Sequence, residues 1–131
     1  MAGTYTPLSD EIERLVHDTI GCCITIHRAL GPGMLELIYS RAVAIELTAA
    51  GIPFEREKPF PVMYRGELLC HQHLDFLVAG AIVLEIKSVE LLTALHHAQL
   101  LSYMRVSHKR AGLLMNFNVA VLKDGLARKI L

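Results

Sequence analysis

The sequence predicts an α/β (α+β) fold, a mixed β-sheet with helices packed on it, from three observations. Leu74 to Val78 and Ala81 to Lys87 are apolar, β-branched-rich runs joined at Ala79-Gly80, the pattern of a hairpin of buried strands. Apolar residues recur at helical spacing in two stretches before this hairpin and one after it. A continuous apolar run, Ala111 to Phe117, follows the last helix and completes a β-α-β crossover, so it should pair in parallel with the 81–87 strand. The expected order is α-α-β-β-β-α-β-β, in one domain over residues 1–131.

The first helix begins at a Ser9 cap with Asp10 and Glu11 in its first turn, the sign the helix dipole prefers there. Ile12, Leu15, Val16, Ile20, Cys23 and Ile26 form its apolar stripe, and Gly31-Pro32-Gly33 stops it after Leu30. His27 lies on the apolar side, as a core histidine does. A second helix is expected from Met34 to Ala50, with Leu35, Ile38, Tyr39, Ala42 and Val43 inward and Gly51 at its end. Ile52 to Phe60 alternates in charge, and Pro53, Pro59 and Pro61 restrict it to a sheet edge. Phe60 to Tyr64, a turn at Arg65-Gly66-Glu67, and Leu68 to Val78 make a hairpin. A third helix is expected from Leu91 to Val106 and a last edge strand from Leu126 to Leu131.

Hydrophobic residues make up 53% of the chain and its mean hydropathy is +0.40, yet no apolar run reaches the roughly 18 residues a membrane helix needs. The excess implies a deeply buried sheet together with a subunit interface, hence a homodimer and no membrane association. The N-terminus, Met1 to Pro7, has neither the basic nor the apolar region of a secretion signal, so a cytoplasmic location is expected. Cys22, Cys23 and Cys70 are odd in number and lack zinc spacing, which favours reduced, buried thiols. Net charge is zero, but beyond Leu100 six cations face the single acid Asp124, a tail suited to a phosphate backbone.

Charge inside the central hairpin is where the chemistry lies. Glu85 and Lys87 share one face of their strand, while Ile82, Leu84 and Ile86 take the other. With Asp75 on the preceding strand, two carboxylates make an all-oxygen site for a hard cation, Mg²⁺ or Mn²⁺. A lysine beside them can orient or deprotonate an attacking water. A buried carboxylate–lysine ion pair is the alternative. A third possibility comes from the preceding strand, where Leu69, His71, His73, Asp75 and Leu77 should share a face, and a His-x-His-x-Asp row suits a transition metal.

Asp75 followed by Glu85-x-Lys87 on the next strand resembles the PD-(D/E)xK nuclease signature. Gly33-Met34-Leu35-Glu36-Leu37-Ile38-Tyr39, preceded by His27-Arg28-Ala29-Leu30-Gly31-Pro32, resembles that of the GxxExxY protein family, a small branch of the superfamily with RecB-like features. Gln99-x-x-x-Tyr103 resembles the extra motif of the RecB-like branch, whose pair lies by the active centre. The family usually has an arginine two residues before the aspartate, and His73 departs from that.

The resemblance implies a restriction-endonuclease-like αβββαβ core and a Mg²⁺- or Mn²⁺-dependent nuclease acting on nucleic acid, DNA ahead of RNA. Glu36, Asp75 and Glu85 would hold the metal, with Asp75, Glu85 and Lys87 catalytic. Gln99, Tyr103, His73 and Tyr39 would contact substrate or support the ligands. The competing function is a non-catalytic nucleic-acid- or protein-binding module that keeps the fold. Either way the carboxylates can share a face only in a register whose partner numbers sum to an even value, such as Asp75 opposite Glu85 with Ala79-Gly80-Ala81 as the loop. A tight two-residue Ala79-Gly80 turn would pair Asp75 with Leu84 and, without a bulge, send the two acids to opposite faces.

Overall fold

The computed structural model describes residues 6–131; residues 1–5, part of the stretch on which the absence of a secretion signal was judged, lie outside that range. Helix α1 spans Asp10–Leu30, and the Ser9 hydroxyl accepts a hydrogen bond from the Ile12 N–H at 3.2 Å as the expected cap. Helix α2 runs Glu36–Ala49 after a Gly31-Pro32-Gly33 loop in which Gly33 has φ 97°. Strands β1 (Phe54–Tyr64), β2 (Glu67–Val78) and β3 (Ile82–Lys87), helix α3 (Ala94–Ser107), and strands β4 (Ala111–Asn116) and β5 (Leu126–Ile130) complete the expected order. They form one mixed five-stranded sheet, β1-β2-β3-β4-β5, in which β3 and β4 are parallel and the other neighbours antiparallel.

The sheet is covered on both faces. On one, Cys23, Ile26, Tyr39 and Val43 from α1 and α2 pack over Phe76, Leu84 and Met115. On the other, Leu100 and Met104 of α3 pack over Leu74, Leu77, Val83 and Leu114. His27 is buried, with Nε2 2.7 Å from the Val119 carbonyl, a satisfied core histidine.

Three expectations are corrected. Helix α3 starts at Ala94 and not at Leu91, because Thr93 and His96 form a reciprocal capping box that fixes the start. The buried stripe of α2 is Tyr39, Val43 and Leu47, whereas Leu35 and Ile38 are 73% and 42% exposed. Helix α2 is apolar nearly all round, so its sequence does not mark the inner face. Cys70 is exposed, because β3 pairs only with Phe76–Val78 and the rest of the β1–β2 hairpin extends past it.

The register between β2 and β3 is the one the carboxylates require. Phe76 pairs with Leu84, Leu77 with Val83 and Val78 with Ile82, which places Asp75 opposite Glu85 across a three-residue loop. Side-chain alternation in β2, however, breaks at Asp75. Leu74 and Leu77 lie in the same α3-side cluster although three residues apart, and Phe76 faces α2. The opposing residue on β1, Glu57, has φ 51° and no ladder partner, so both strands reverse their faces at this rung. His71 and His73 therefore do not share a face with Leu77.

Close approach at the end of β4 gives a test of the packing. A Cβ on Gly125 would lie 2.1 Å from the Asn116 carbonyl oxygen, whereas one on Gly112 would meet the flexible Met104 side chain at 2.4 Å. Gly125→Ala should cost about 3 kcal/mol and Gly112→Ala about 1 kcal/mol, because backbone gives way less readily than a thioether. Urea unfolding of both variants measures the difference.

Candidate active site

The ladder between β2 and β3 ends where the acids begin. The Asp75 N–H donates to Glu85 Oε2 at 2.9 Å, and the Ile86 N–H donates to Asp75 Oδ2 at 2.8 Å. Each carboxylate thus stands in for a carbonyl the neighbouring strand no longer offers, and one oxygen of each is held rigidly by backbone. Glu85 is only 3% exposed and Asp75 is half-buried.

Burial, chiefly, pushes both carboxyls up, Asp75 to about 6 and Glu85 to about 8. For Glu85 the next cause is the Asp75 charge, and Glu36 raises both further. Lys87 and the two backbone hydrogen bonds act the other way without cancelling the rise. Among the described residues the ion pairs are Lys58–Glu55 at 2.8 Å and Arg128–Glu13. Lys87 is in neither, so no buried carboxylate–lysine pair explains the acids. The Tyr103 phenol on α3 is pushed up as well, by burial first and then by Glu85 and Asp75, which locates it on the acids' side of the sheet.

Glu36 is exposed at the first position of α2, close enough for its charge to bear on both acids. Gly33 and Tyr39 serve it as a unit. Tyr39 is fully buried; its hydroxyl donates to the Gly31 carbonyl at 2.5 Å and accepts from the Met34 N–H at 3.2 Å, and its ring stacks on Phe117 at 4.5 Å. It anchors the loop that delivers Glu36 and has no free atom for substrate. Gln99 lies one turn before Tyr103 on the same face of α3. His73 is exposed opposite Pro59 and, with the faces reversed at the Asp75 rung, does not join Asp75 and Glu85 in a cluster.

Asn116 was not singled out from the sequence. Its buried amide accepts from the Val89 and Asn118 N–H groups at 3.0 and 3.2 Å and donates to the Val89 carbonyl at 2.9 Å, fixing the segment after Lys87. The only signal was a polar side chain closing a wholly apolar strand. A hollow of about 370 Å³ between α1 and α2, lined by His17, Cys22 and Glu46 among others, contains none of Glu36, Asp75 and Glu85. Converging charge, not depth, marks the site.

The donor set fits a hard divalent cation. One oxygen of Asp75 and one of Glu85 remain beside those held by backbone, both are carboxylate, and their mutual repulsion lacks a full counter-charge. Among the described residues no three His, Cys, Asp or Glu side chains are gathered closely enough to hold a metal by themselves. The two strand acids are therefore the core of the site, with Glu36 standing off from them, and the His-x-His-x-Asp alternative is not assembled.

A mixed sheet covered by helices on both faces, with an acid and then acid-x-lysine meeting on adjacent strands, defines a nuclease-type α+β fold. Residues 13–129 match the PD-(D/E)XK nuclease superfamily, and the chain belongs to it. Nucleases of this superfamily generally use divalent metals, and the fold implies nucleic-acid binding. No curated protein and no solved structure matches the chain. Among the described residues no helix is long and apolar enough to cross a membrane.

Titration tests the electrostatics directly. Both acids hold their protons to higher pH in the folded chain than in the unfolded one, where carboxyls ionise near pH 4. The folded state therefore binds more protons above that pH, and stability falls as pH rises, until about 6 for Asp75 and about 8 for Glu85. With EDTA present, the melting temperature of Glu85→Gln should decline less between pH 5 and 8 than that of the wild type.

Proposed function

We propose that the protein is a Mg²⁺- or Mn²⁺-dependent nuclease of the GxxExxY type, in the RecB-like branch of its superfamily, hydrolysing phosphodiester bonds in DNA ahead of RNA. The observation that carries this is the Asp75–Glu85 clasp, two carboxylates fixed by backbone N–H groups and left without an ion-pair partner. Asp75 and Glu85 would hold the cation, with Glu36 at the start of α2 as a further oxygen donor. The bound cation supplies charge neutralisation at the scissile phosphate and a more acidic water. Lys87, on the Glu85 face of β3 and unpaired, would position the attacking water and meet charge developing on the phosphate oxygens. Tyr103 and Gln99 line the α3 side, where the phenol stays protonated and donates a hydrogen bond to phosphate.

Asp75→Asn separates this function from a structural role. The asparagine oxygen still accepts from the Ile86 N–H while one like charge is lost, so the melting temperature in EDTA should hold or rise. The rise produced by excess Mn²⁺ should shrink, and cleavage of single- and double-stranded DNA by the wild type should be abolished in the variant. An apo loss of about 3 to 5 kcal/mol with no Mn²⁺ effect in the wild type would show a buried structural pair instead and make the fold a binding module.

A homodimer is part of the same proposal. Met63, Tyr64, Leu68 and Leu69, at the end of the β1–β2 hairpin away from Asp75, are each more than half exposed. Four large apolar side chains on a two-stranded arm favour a second copy as cover. Sedimentation at tens of micromolar, roughly the range where a standard-size interface holds, should give a dimer, and Leu69→Asp should give a monomer.

A further inference from the structure

The geometry points to Arg56 as a phosphate-binding residue that grips the nucleic-acid backbone one phosphate away from the bond being cut, an inference that rests on the nuclease function proposed above. Arg56 is exposed on edge strand β1, yet its side chain is fixed at two points. Its guanidinium lies over the Phe76 ring, 5.4 Å from the centroid, and Nη2 donates to the Ser40 hydroxyl at 3.0 Å. Phe76 is itself held by Phe54, ring to ring at 5.7 Å. An arginine stacked on an aromatic face keeps its edge donors directed outward, and only one of five is used on Ser40.

No carboxylate among the described residues pairs with it. Of its sequence neighbours, Glu55 is taken up by Lys58, and the charge of Glu57 bears on Asp75. An immobilised and unpaired guanidinium has already lost much of the rotamer freedom that binding an anion otherwise costs. Other cations are less suited. Arg128 is occupied by Glu13, and Arg110 donates to the carbonyls of Thr6, Pro7 and Leu131.

Its location ties it to the site. Ser40 is four residues after Glu36, on the same face of α2 and one helical turn away. Phe76, beneath the guanidinium, directly follows Asp75. Yet Phe76 and the guanidinium over it lie on the α2 side of the sheet, whereas Glu85, alternating with Leu84 and Ile86, faces α3, so Arg56 is not placed to bind the scissile phosphate itself. A single strand running from the carboxylates along α2 presents its next phosphate to this fork, which binds it bidentately.

Anisotropy titrations of a labelled single-stranded DNA test this, with Ca²⁺ in place of Mg²⁺ to prevent cleavage. They are repeated over a range of salt for the wild type, Arg56→Gln, Arg56→Lys and Ser40→Ala. Arg56→Gln should bind roughly tenfold more weakly, and its log–log salt slope should fall by about 0.7, the loss of one phosphate contact on a single strand. Arg56→Lys should keep the slope and recover part of the affinity. An unchanged slope in Arg56→Gln overturns the assignment while leaving the nuclease function standing. Equal losses of melting temperature in Ser40→Ala and Arg56→Gln with that unchanged slope identify a structural tie between α2 and β1. A wild type that binds no DNA with or without divalent metal overturns both.

Discussion

Two strands that should continue to pair instead exchange backbone for carboxylate at Asp75 and Glu85, and the rest of the site depends on that exchange. A carboxylate accepting a backbone N–H is a charge-assisted bond worth roughly 1.5–3 kcal/mol. Two of them fix the acids' positions while β2 and β3 part. Neither bond neutralises charge. The clasp supplies geometry and leaves electrostatic demand unmet, which is what a cation-binding site requires and a load-carrying ion pair does not.

The other groups take their positions from the end of β4. The Phe117 N–H donates to the Lys87 carbonyl at 3.0 Å, so the strand bearing the lysine is fixed there. Asn116, the residue before, holds Val89, and the Phe117 ring carries Tyr39, which ties down the loop before Glu36. The Ser88 hydroxyl donates to the Met34 carbonyl at 2.6 Å and joins the two loops directly. A G-x-x-E-x-x-Y motif has a physical content here. Gly33 adopts a backbone angle that side chains resist, Glu36 opens a helix toward the acids, and Tyr39, one turn on, faces inward to clamp the loop just formed.

Much of this was legible because it rests on short-range rules. Period-two alternation put Glu85 and Lys87 on one face of β3, and the parity of a three-residue loop put Asp75 opposite Glu85. The same rule failed two residues upstream of Asp75, where it grouped His73 with Asp75 and Leu77. The reversal depends on Glu57, a residue with no intrinsic preference for its φ of 51°, on a different strand. Leu35 and Ile38 were misplaced for another reason: α2 offers apolar residues on every side, and only the packing of Tyr39 on Phe117 selects the buried one. Asn116 and Arg56 act through partners 27 and 16 residues away, contacts no local pattern encodes.

The cost of the arrangement shows where its function lies. Without a cation, Glu36, Asp75 and Glu85 repel one another in a region that already disfavours charge, and Lys87 offsets this only in part. A direct Lys87–Glu85 ion pair would relieve the repulsion at once, and the side chains share a strand face. The backbone bond from Asp75 instead holds the Glu85 carboxylate, and β3 pairs with β4 through Lys87 itself, so neither strand end is free to bring the two together. Under the proposed function, the lysine's charge is thereby left for an incoming phosphate and the carboxylates' for a metal. A more stable apoprotein would follow from closing that pair, at the expense of both proposed contacts.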